Sequence, residues 1–417
     1  MTRFPRLRRS RSAAALLVVC LLGALAGAAA ASGKSSQPSQ PPTRVPLGFF
    51  GTVIGNPLFP GLVSNASSPQ FANQMDLMEA SGVESVRIVF DWSAAQPYSS
   101  WSKVPADQHG QFTSDGVDNV PTNFDALDTL VADASARGLT VLPVVIDAPS
   151  WDGQTYPGAS LAIPRRDAPY ASFLAALVKR YGPNGTLWSA ESPKLAITSW
   201  QVWNEPDVTG FWGQHPFAQR YVTLLRAARK AIKREDPHAR IVLAGLANYS
   251  WRDLRSIYAV HGARSLFDVV GLHPYTKTPQ GVITILDYAR QVMRAAGDAA
   301  KPIIADEISW PSSKGKTIHN TGYDFATTEA GQARDVSQVL PLLAANRVRL
   351  NLTAVYYYTW AGVETPNGLA FNYSGLLKYV HKAFVRKPVF YAYRQNALAL
   401  ERCHAKAATA SQCAKPY

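Results

Sequence analysis

The feature that most constrains the fold is a regular alternation of short apolar runs with longer segments of helical periodicity. Eight apolar runs lie between residues 45 and 360, and they read VPLGFFGTV, SVRIVFDW, TVLPVVIDA, ITSWQVWNE, RIVLAGL, FDVVGLHPY, PIIADEISW and LTAVYYYTW. The helical patterns between and after them cover 69–80, 123–137, 169–181, 217–235, 252–262, 281–296, 329–345 and 388–400. Runs that are apolar almost throughout indicate parallel strands covered on both faces.

Eight strand–helix units in one chain of this length predict a single α/β domain, a (β/α)8 TIM barrel over residues 45–400. The competing architecture is a doubly wound open sheet, which normally carries a glycine-rich phosphate-binding turn after its first strand. The segment FFGTVIGNP does not have that form and does not lead directly into a helix. We therefore expect the barrel. We expect no C-terminal β-sandwich, because only a tail of residues 401–417 follows the last helical pattern.

The first 44 residues precede the predicted barrel. Residues 1–31 combine an arginine-rich start, an apolar run and small residues, which is typical of an export signal. The apolar run is also long enough to act as an uncleaved membrane anchor, and both Sec and twin-arginine export stay open. Residues 32–44 are rich in Ser and Pro and indicate a flexible linker. We expect a secreted protein, or one located in the cell envelope or periplasm.

The charge distribution bears on partners. The net charge of +13 falls to +8 without the export signal, because that segment contains five arginines and no acid. The remaining Lys and Arg residues are scattered along helical patterns, so nucleic acid is not an expected partner. We expect a monomer with no cofactor, no metal and no stable membrane partner unless the signal stays uncleaved.

Polar and aromatic residues concentrate where the predicted strands end, which is where (β/α)8 barrels place their active sites. In chain order they are Arg87, Asp91, Trp92, Asp147, Trp151, Asn204, Glu205, His273, Tyr275, Asp306, Glu307, Trp310 and Trp360. Glu205 and Glu307 end the fourth and seventh strands, so the closed barrel places them across the mouth from each other. Two carboxylates that flank one bond are the apparatus of glycoside hydrolysis.

Two motifs resemble clan A of the glycoside hydrolases: VWNEP at the end of the fourth strand and IIADEISWP at the end of the seventh. The clan consists of (β/α)8 enzymes with the acid/base on strand 4 and the nucleophile on strand 7. The resemblance covers essentially the whole chain after the linker. Its details look most like families 39 and 5, and DAPSW and DPHARIVLAGL resemble the bacterial family 39 polysaccharide hydrolases in particular.

The resemblance implies a retaining enzyme that cleaves β-glycosidic bonds of a poly- or oligosaccharide. Glu205 would be the general acid and then the general base, and Glu307 would be the nucleophile that forms a glycosyl-enzyme ester. Asn204 would hydrogen-bond the substrate 2-hydroxyl. Arg87 and Tyr275 would hold Glu307 ionised and correctly aimed.

Supporting roles follow from the same resemblance. His273 would shape the pocket, and Trp360 would form the floor of the sugar subsite next to the cleaved bond. Trp151 and Trp310 are assigned to substrate binding, with packing as the alternative.

The chain departs from the related families at two positions. Asp147 stands where many family 5 members carry a histidine. Asp306 replaces a small or hydroxyl residue, and it would either perturb Glu307 or point away from it, because adjacent strand residues face opposite sides.

Two other functions fit the sequence. A transglycosylase that remodels envelope polysaccharide would use the same residues, with a sugar in place of water. A catalytically silent carbohydrate-binding barrel would need neither carboxylate nor the Arg and Tyr that support Glu307. The sequence does not identify the sugar, the linkage or endo against exo action.

The tail generates the first testable prediction. Cys403 and Cys413 are the only cysteines after the export signal, with nine residues between them. An even pair in an oxidising compartment predicts one disulfide. A loop this short should stabilise the fold by at most about 2–3 kcal/mol. The unreduced protein should therefore have a mass two hydrogens below that of the reduced protein. A Cys403→Ser/Cys413→Ser variant should stay active with a slightly lower Tm. Titratable thiols in the exported protein would contradict the pairing.

Overall fold

The computed structural model describes residues 44–55, 69–113, 116–188, 194–247, 249–319 and 324–401. The predicted export signal and nearly all of the linker lie outside these residues. Cys403 and Cys413 also lie outside them, so their disulfide stays a prediction.

Eight parallel strands form a ring, as the sequence predicts. They are Phe50–Ile54 (β1), Ser85–Asp91 (β2), Thr140–Ile146 (β3), Ser199–Val202 (β4), Arg240–Leu243 (β5), Val270–Leu272 (β6), Ile303–Ile308 (β7) and Leu352–Tyr357 (β8). Ladders join β1 through β5 in chain order, and β8 pairs with both β7 and β1. Bridges from Val242 to Val269 and from Leu246 to Leu272 join the fifth and sixth strands and close the barrel. The predicted single (β/α)8 barrel is confirmed.

Eight helices surround the ring close to the predicted bounds. They are Pro69–Glu79 (α1), Asp125–Ala136 (α2), Asp167–Tyr181 (α3), Ala218–Glu235 (α4), Ser250–Tyr258 (α5), Pro279–Ala295 (α6), Glu329–Leu350 (α7) and Pro388–Leu400 (α8). The prediction for α5 extends too far, because the chain leaves the helix after Tyr258 and turns at Gly262 with a φ of 76°. Of the helices in the described ranges, none is long and apolar enough to cross a bilayer.

The loops between the barrel strands and helices contain short helices and strands. Short helices of three to six residues lie at Trp92–Ala95, Trp101–Lys103, Ala106–Gln111, Ala263–Leu266 and Ala370–Tyr373. Gly153–Gln154 pairs with Ile163–Pro164, and a three-stranded sheet of Ala361–Gly362, Leu377–Val380 and Ala383–Arg386 stands between β8 and α8. The sequence analysis did not predict this small sheet. The described part of the chain contains no β-sandwich.

A buried lysine fastens the small sheet to the mouth of the barrel. The Lys387 ammonium donates to the Ser312 hydroxyl and to the Tyr373 carbonyl, each at 2.8 Å, and it lies 2.9 Å from the Glu364 carboxylate. Ser312 follows β7, and the other two partners follow β8. The ion pair therefore joins the loops after these two strands.

The core has two layers because successive strand residues point to opposite faces. The larger layer lies between strands and helices. The smaller layer fills the inside of the ring, and it consists of Val53, Leu142, Val242, Val269, Ile304, Ala354 and Tyr356. The Tyr356 hydroxyl shares a 2.8 Å hydrogen bond with the Ser85 hydroxyl, so the one polar group of this layer has a partner. The filled interior leaves the mouth as the place for a ligand.

Arg290 generates a prediction about stability. Its buried guanidinium donates to the carbonyls of Leu350, Ala299 and Lys301 and so joins the end of α7 to the segment before β7. Arg290→Ala leaves these carbonyls without their donor, and we expect it to lower the free energy of unfolding by about 2–3 kcal/mol. Arg294→Ala, on the exposed side of the same helix, should change it by less than about 0.5 kcal/mol. Equal effects in urea denaturation would contradict the role of Arg290.

Candidate active site

Arg87 lies at the centre of the polar cluster in the barrel mouth. Its side chain is buried on β2 and donates from three different nitrogens. The acceptors are Glu307 Oε1 at 2.7 Å, Asn204 Oδ1 at 2.6 Å and Gln201 Oε1 at 2.8 Å. The planar guanidinium fixes the directions of these hydrogen bonds. Arg87 therefore holds groups from β4 and β7 in one arrangement.

Glu307 is oriented through both of its oxygens. Oε1 accepts from Arg87, and Oε2 accepts the Tyr275 hydroxyl at 2.6 Å. Tyr275 follows β6 and packs against Phe325 and Phe371, with ring centroids 5.7 and 5.0 Å away. Charge-assisted hydrogen bonds of this kind are among the strongest in proteins. These hydrogen bonds therefore fix the orientation of the Glu307 carboxylate at the cavity surface.

Glu205 has an unusual backbone conformation. Its φ is 42°, and that of Trp203 is 71°, both in the left-handed region that residues other than glycine seldom adopt. The Glu205 amide donates to the Gly245 carbonyl at 3.0 Å, which holds this turn after β4 in place. Such strained positions occur at functional sites, where surrounding contacts maintain them.

The surroundings of Glu205 favour its protonated form. Burial raises the pKa of this carboxyl, and the nearby charge of Glu307 raises it further. The hydrogen bond and charge of His273, together with the charge of Arg87, oppose the increase without reversing it. A carboxyl with a raised pKa is suited to donate a proton.

His273 lies beneath the two glutamates and is fully buried. Burial lowers the pKa of the imidazole, but the negative charges of Glu307 and Asp306 and the hydrogen bond to Glu205 raise it to about 10. This raised pKa favours the imidazolium at neutral pH. Its Nδ1–H donates to Glu205 Oε1 at 2.6 Å, which leaves Oε2 as the oxygen that can carry the transferable proton.

Asp306 faces the barrel interior although it directly precedes Glu307. Ala305 pairs with Val355 and Ile308 pairs with Tyr357, so β7 has one more residue than β8 over this stretch. Such a bulge turns two successive side chains to the same side. It removes the expectation that one of the two residues must point away.

Asp306 supplies a second buried anion below the cavity. Its Oδ2 accepts from Gln201 Nε2 and lies 3.6 Å from both Arg87 Nε and His273 Nε2. Burial raises the pKa of this carboxyl, but the charges of His273 and Arg87 and the hydrogen bond from Gln201 outweigh burial and lower it. Asp306 is therefore an anion that supports the protonated form of His273.

Gly245 makes room for this arrangement. A Cβ atom at this position would lie 2.0 Å from His273 Nε2 and 2.8 Å from Asp306 Oδ2. Both atoms belong to buried side chains that the network fixes. The position after β5 is therefore restricted to glycine by close packing.

The network opens into a cavity of about 420 Å³. The polar side chains that line it are Arg87, Asn204, Glu205, Tyr275, Glu307, Tyr358 and Asn372. One oxygen of Glu205, one oxygen of Glu307 and one His273 nitrogen all lie within 4.8 Å of one another. Three such groups can hold a metal ion in other proteins. Here the histidine is protonated and Arg87 already neutralises Glu307, so the chemistry of this set fits proton transfer better than binding of a cation.

The structure does not bring Trp360 to the cavity, which argues against its expected role as the floor of a sugar subsite. Trp360 is fully buried, its indole donates to Gln74 Oε1 at 2.9 Å, and its ring packs edge-on against Phe390. Its amide donates to the Val53 carbonyl, so the chain turns over β1 and the ring enters the layer between strands and helices. Tyr358 lines the cavity in its place.

The other two tryptophans also lie away from the described cavity lining. Trp310 is buried in the outer core layer. Trp151 is half-buried, donates to the Gln96 carbonyl at 2.7 Å and packs edge-on against Trp92. It borders a separate depression beside Arg166. For both residues the packing alternative fits better than contact with a sugar beside the two glutamates.

Sequence reasoning missed Gln201, although a signal existed. Gln201 is a polar residue between Trp200 and Val202 on a strand whose apolar side chains face the helices. Alternation alone would have directed Gln201 into the barrel, where it contacts Arg87 and Asp306. The contribution of Tyr358 had no comparable signal, because three tyrosines follow one another there.

Comparison with known proteins identifies similar folds and no sequence relatives. No protein-family profile matches the chain, and no curated protein sequence does. Solved structures match at low identity. A family 39 glycoside hydrolase from Bacteroides cellulosilyticus WH2 has 17% identity and a TM-score of 0.56, over 85% of this chain and 64% of that one.

Two further structures illustrate the range of the fold. A monomeric β-xylosidase from Caulobacter crescentus CB15 has 18% identity and a TM-score of 0.55, over 85% of this chain and 68% of that one. An α-L-arabinofuranosidase from Thermotoga maritima has 13% identity and a TM-score of 0.54, over 85% and 70%. The chain thus spans about two thirds of these proteins and has the fold of family 39 and other clan A glycoside hydrolases.

The pair of His273 and Asp306 generates a prediction about protonation. Asp306→Asn removes one of the anions that favour the imidazolium and keeps the shape of the side chain. We expect the pKa of His273 to fall below its value of about 10, because fewer negative charges then offset the burial that lowers this pKa. The measurement is an NMR titration of labelled histidines. Asp335→Asn, at a buried acid on α7, should leave the His273 titration unchanged. An unmoved midpoint in Asp306→Asn would contradict the role of Asp306.

Proposed function

We propose that the protein is a retaining glycosidase that cleaves β-glycosidic bonds, with Glu205 as acid/base and Glu307 as nucleophile. The observation that carries the proposal is the contrast between two carboxyl groups in one cavity. Burial raises the pKa of Glu205, whereas Glu307 accepts hydrogen bonds from a guanidinium and a phenol. One group is set to give a proton and the other to act as an anion.

In the first step, a Glu307 oxygen attacks the anomeric carbon while the bond from that carbon to the leaving oxygen breaks. The Glu205 proton goes to the leaving oxygen, so an alcohol departs and a glycosyl ester of Glu307 forms. In the second step, Glu205 takes a proton from water, the water oxygen bonds to the anomeric carbon, and the ester breaks. Arg87 and Tyr275 stabilise the charge on Glu307 when it leaves.

The separation of the carboxyl groups supports retention of configuration. Carboxyl groups are about 5–5.5 Å apart in retaining enzymes and about 6.5–9.5 Å apart in inverting enzymes, which must admit a water between them. An oxygen of Glu205 and an oxygen of Glu307 lie within 4.8 Å. This short separation supports the retaining arrangement.

The similar folds support the reaction class and leave the sugar open. Two of the proteins compared above act on xylosides and arabinofuranosides by their names, and another similar structure is called a glucosidase. Glycosidic bond cleavage is common to all of them. We therefore propose a carbohydrate substrate, and a monomer by analogy with the Caulobacter protein. The predicted export signal supports action outside the cytoplasm, which fractionation of the producing cell would test.

The catalytic assignment is tested with single substitutions and a panel of nitrophenyl β-glycosides, including the xyloside and the glucoside. Glu205→Gln and Glu307→Gln should each lower kcat/KM by roughly 10²–10⁴-fold and leave the fold intact, because each removes one chemical role. Glu235→Gln, at the end of α4, is the matched control and should keep full activity. Near-native turnover in either cavity variant would contradict the assignment.

The two roles are separated by the leaving group. Glu205→Ala should lose less activity on a dinitrophenyl glycoside, whose leaving group needs little acid assistance, than on an alkyl glycoside. Glu307 variants should lose activity on both. An NMR time course should show the β-anomer as the first product. Inversion would refute the double displacement, and transfer to an added acceptor sugar in preference to water would indicate a transglycosylase.

A further inference from the structure

The cavity carries its hydrogen-bonding groups on one side, which Val208, Phe211, Ala247, Phe325, Leu369 and Phe371 also line. Nearly all of its hydrogen-bonding groups stand on or after β4, β6, β7 and β8, together with Arg87 on β2. The described lining from β1 to β3 is otherwise hydrocarbon apart from Gly55. The side chains there that point into the barrel are Val53, Val89, Val144 and Ile146, because Ile54 and Ile88 alternate with Val53 and Val89 and pack in the outer layer. We call these four side chains the aliphatic wall.

The aliphatic wall is continuous because its three strands are hydrogen-bonded neighbours. Val53 pairs with Arg87, two residues before Val89, and Val89 pairs with Val144. The strand that ends the wall, β3, pairs in turn with β4. Glu205 follows β4, so the group that protonates a leaving oxygen stands next to the wall.

Branched hydrocarbon side chains bind sugars poorly. They offer neither hydrogen bonds nor the flat ring face on which a pyranose can lie. A sugar hydroxyl pressed against them loses its hydrogen bonds to water and gains none, which makes its burial unfavourable. An apolar group gains free energy in the same place, because it leaves water. The wall therefore selects a hydrocarbon group over another sugar.

The apolar surface continues to the opening of the cavity. Val89 is 37% exposed and Leu369 is 51% exposed, and both line the cavity. Eight large hydrophobic side chains are exposed in the described part of the chain, so two of them share this one opening. Exposed apolar side chains that lie together at a cavity indicate a binding surface, whereas single exposed ones scattered over a protein do not.

We propose that the substrate is an amphiphilic glycoside with an alkyl chain or a hydrocarbon of similar size as its aglycone. The sugar contacts Asn204, Glu205 and Glu307, and the aglycone lies on the aliphatic wall and leaves the cavity past Val89 and Leu369. A wall of four side chains is larger than the single methyl group of a deoxy sugar, which would cover only one or two of them. The proposal rests on the proposed glycosidase activity and names its substrate class.

The first test compares methyl, butyl and octyl β-D-xylopyranosides and the corresponding β-D-glucopyranosides below their micelle concentrations. The alcohols released differ little in acidity, so differences in kcat/KM report contacts of the chain. Each methylene that reaches the wall should raise kcat/KM by up to roughly fourfold. We expect an octyl-to-methyl ratio of roughly 10–100. A ratio near one would overturn the proposal, as would higher kcat/KM on oligosaccharides of the same sugar than on its octyl glycoside.

Substitutions at the rim locate the effect. Val89→Asn and Leu369→Asn should each reduce the octyl-to-methyl ratio at least threefold, and together they should reduce it further. Val348→Asn and Leu47→Asn are matched controls, because these side chains are 76% and 64% exposed elsewhere on the protein. An octyl-to-methyl ratio that stays unchanged in the two rim variants would overturn the assigned path of the aglycone.

A binding measurement separates this inference from the proposed reaction. Calorimetry with Glu205→Gln reports the affinities of octyl and methyl glycosides without turnover. Tighter binding of the octyl glycoside, weakened by Val89→Asn, supports the apolar site even if the wild-type protein hydrolyses none of the glycosides, a result that would overturn the proposed function. Hydrolysis of methyl and octyl glycosides at equal rates, with equal affinities, would overturn only the inference.

Discussion

A buried balance of charge underlies the candidate site. Arg87 and His273 carry positive charge, and Asp306 and Glu307 carry negative charge, all nearly or fully removed from water. Isolated charges at such depth would cost several kcal/mol each, whereas these four offset one another through short contacts. Ionisation of Glu205 would add an uncompensated fifth charge, and its pKa is raised accordingly. The balance of the other four groups therefore makes Glu205 the proton carrier of the set.

The barrel provides this balance through irregularities in otherwise regular strands. The bulge in β7 turns Asp306 and Glu307 inward together, and the left-handed turn at Glu205 aims its carboxyl at His273. Gly245 leaves space for the imidazole. Each feature has a local conformational or packing cost, and the hydrogen bonds of the network hold it in place. The regular inner core below supplies the rigid support that such strained groups need.

The sequence was sufficient for features that repeat. The periodicity of strands and helices predicted the barrel. The ends of the predicted strands indicated Glu205, Glu307, Arg87 and Tyr275, which the structure places in one network. The sequence was insufficient where the direction of a side chain depends on a shift of one residue along the chain. Trp360 and Tyr358 follow β8 with the same parity, but the chain turns over Val53 at Trp360, whose ring lies in the outer layer. The aliphatic wall was hidden for a related reason, because its residues look like ordinary buried strand positions.

The division of the cavity bears on how specificity is built. In many (β/α)8 enzymes the loops after the strands supply most substrate contacts. Here the aliphatic wall belongs to the strands β1, β2 and β3 themselves, and ladder hydrogen bonds fix its residues relative to Arg87. An apolar group on this wall would be held at a set distance from the two carboxyl groups without closure of a loop. Selection for hydrocarbon and orientation of the scissile bond would then come from the same rigid element, so changing the wall would alter position as well as affinity.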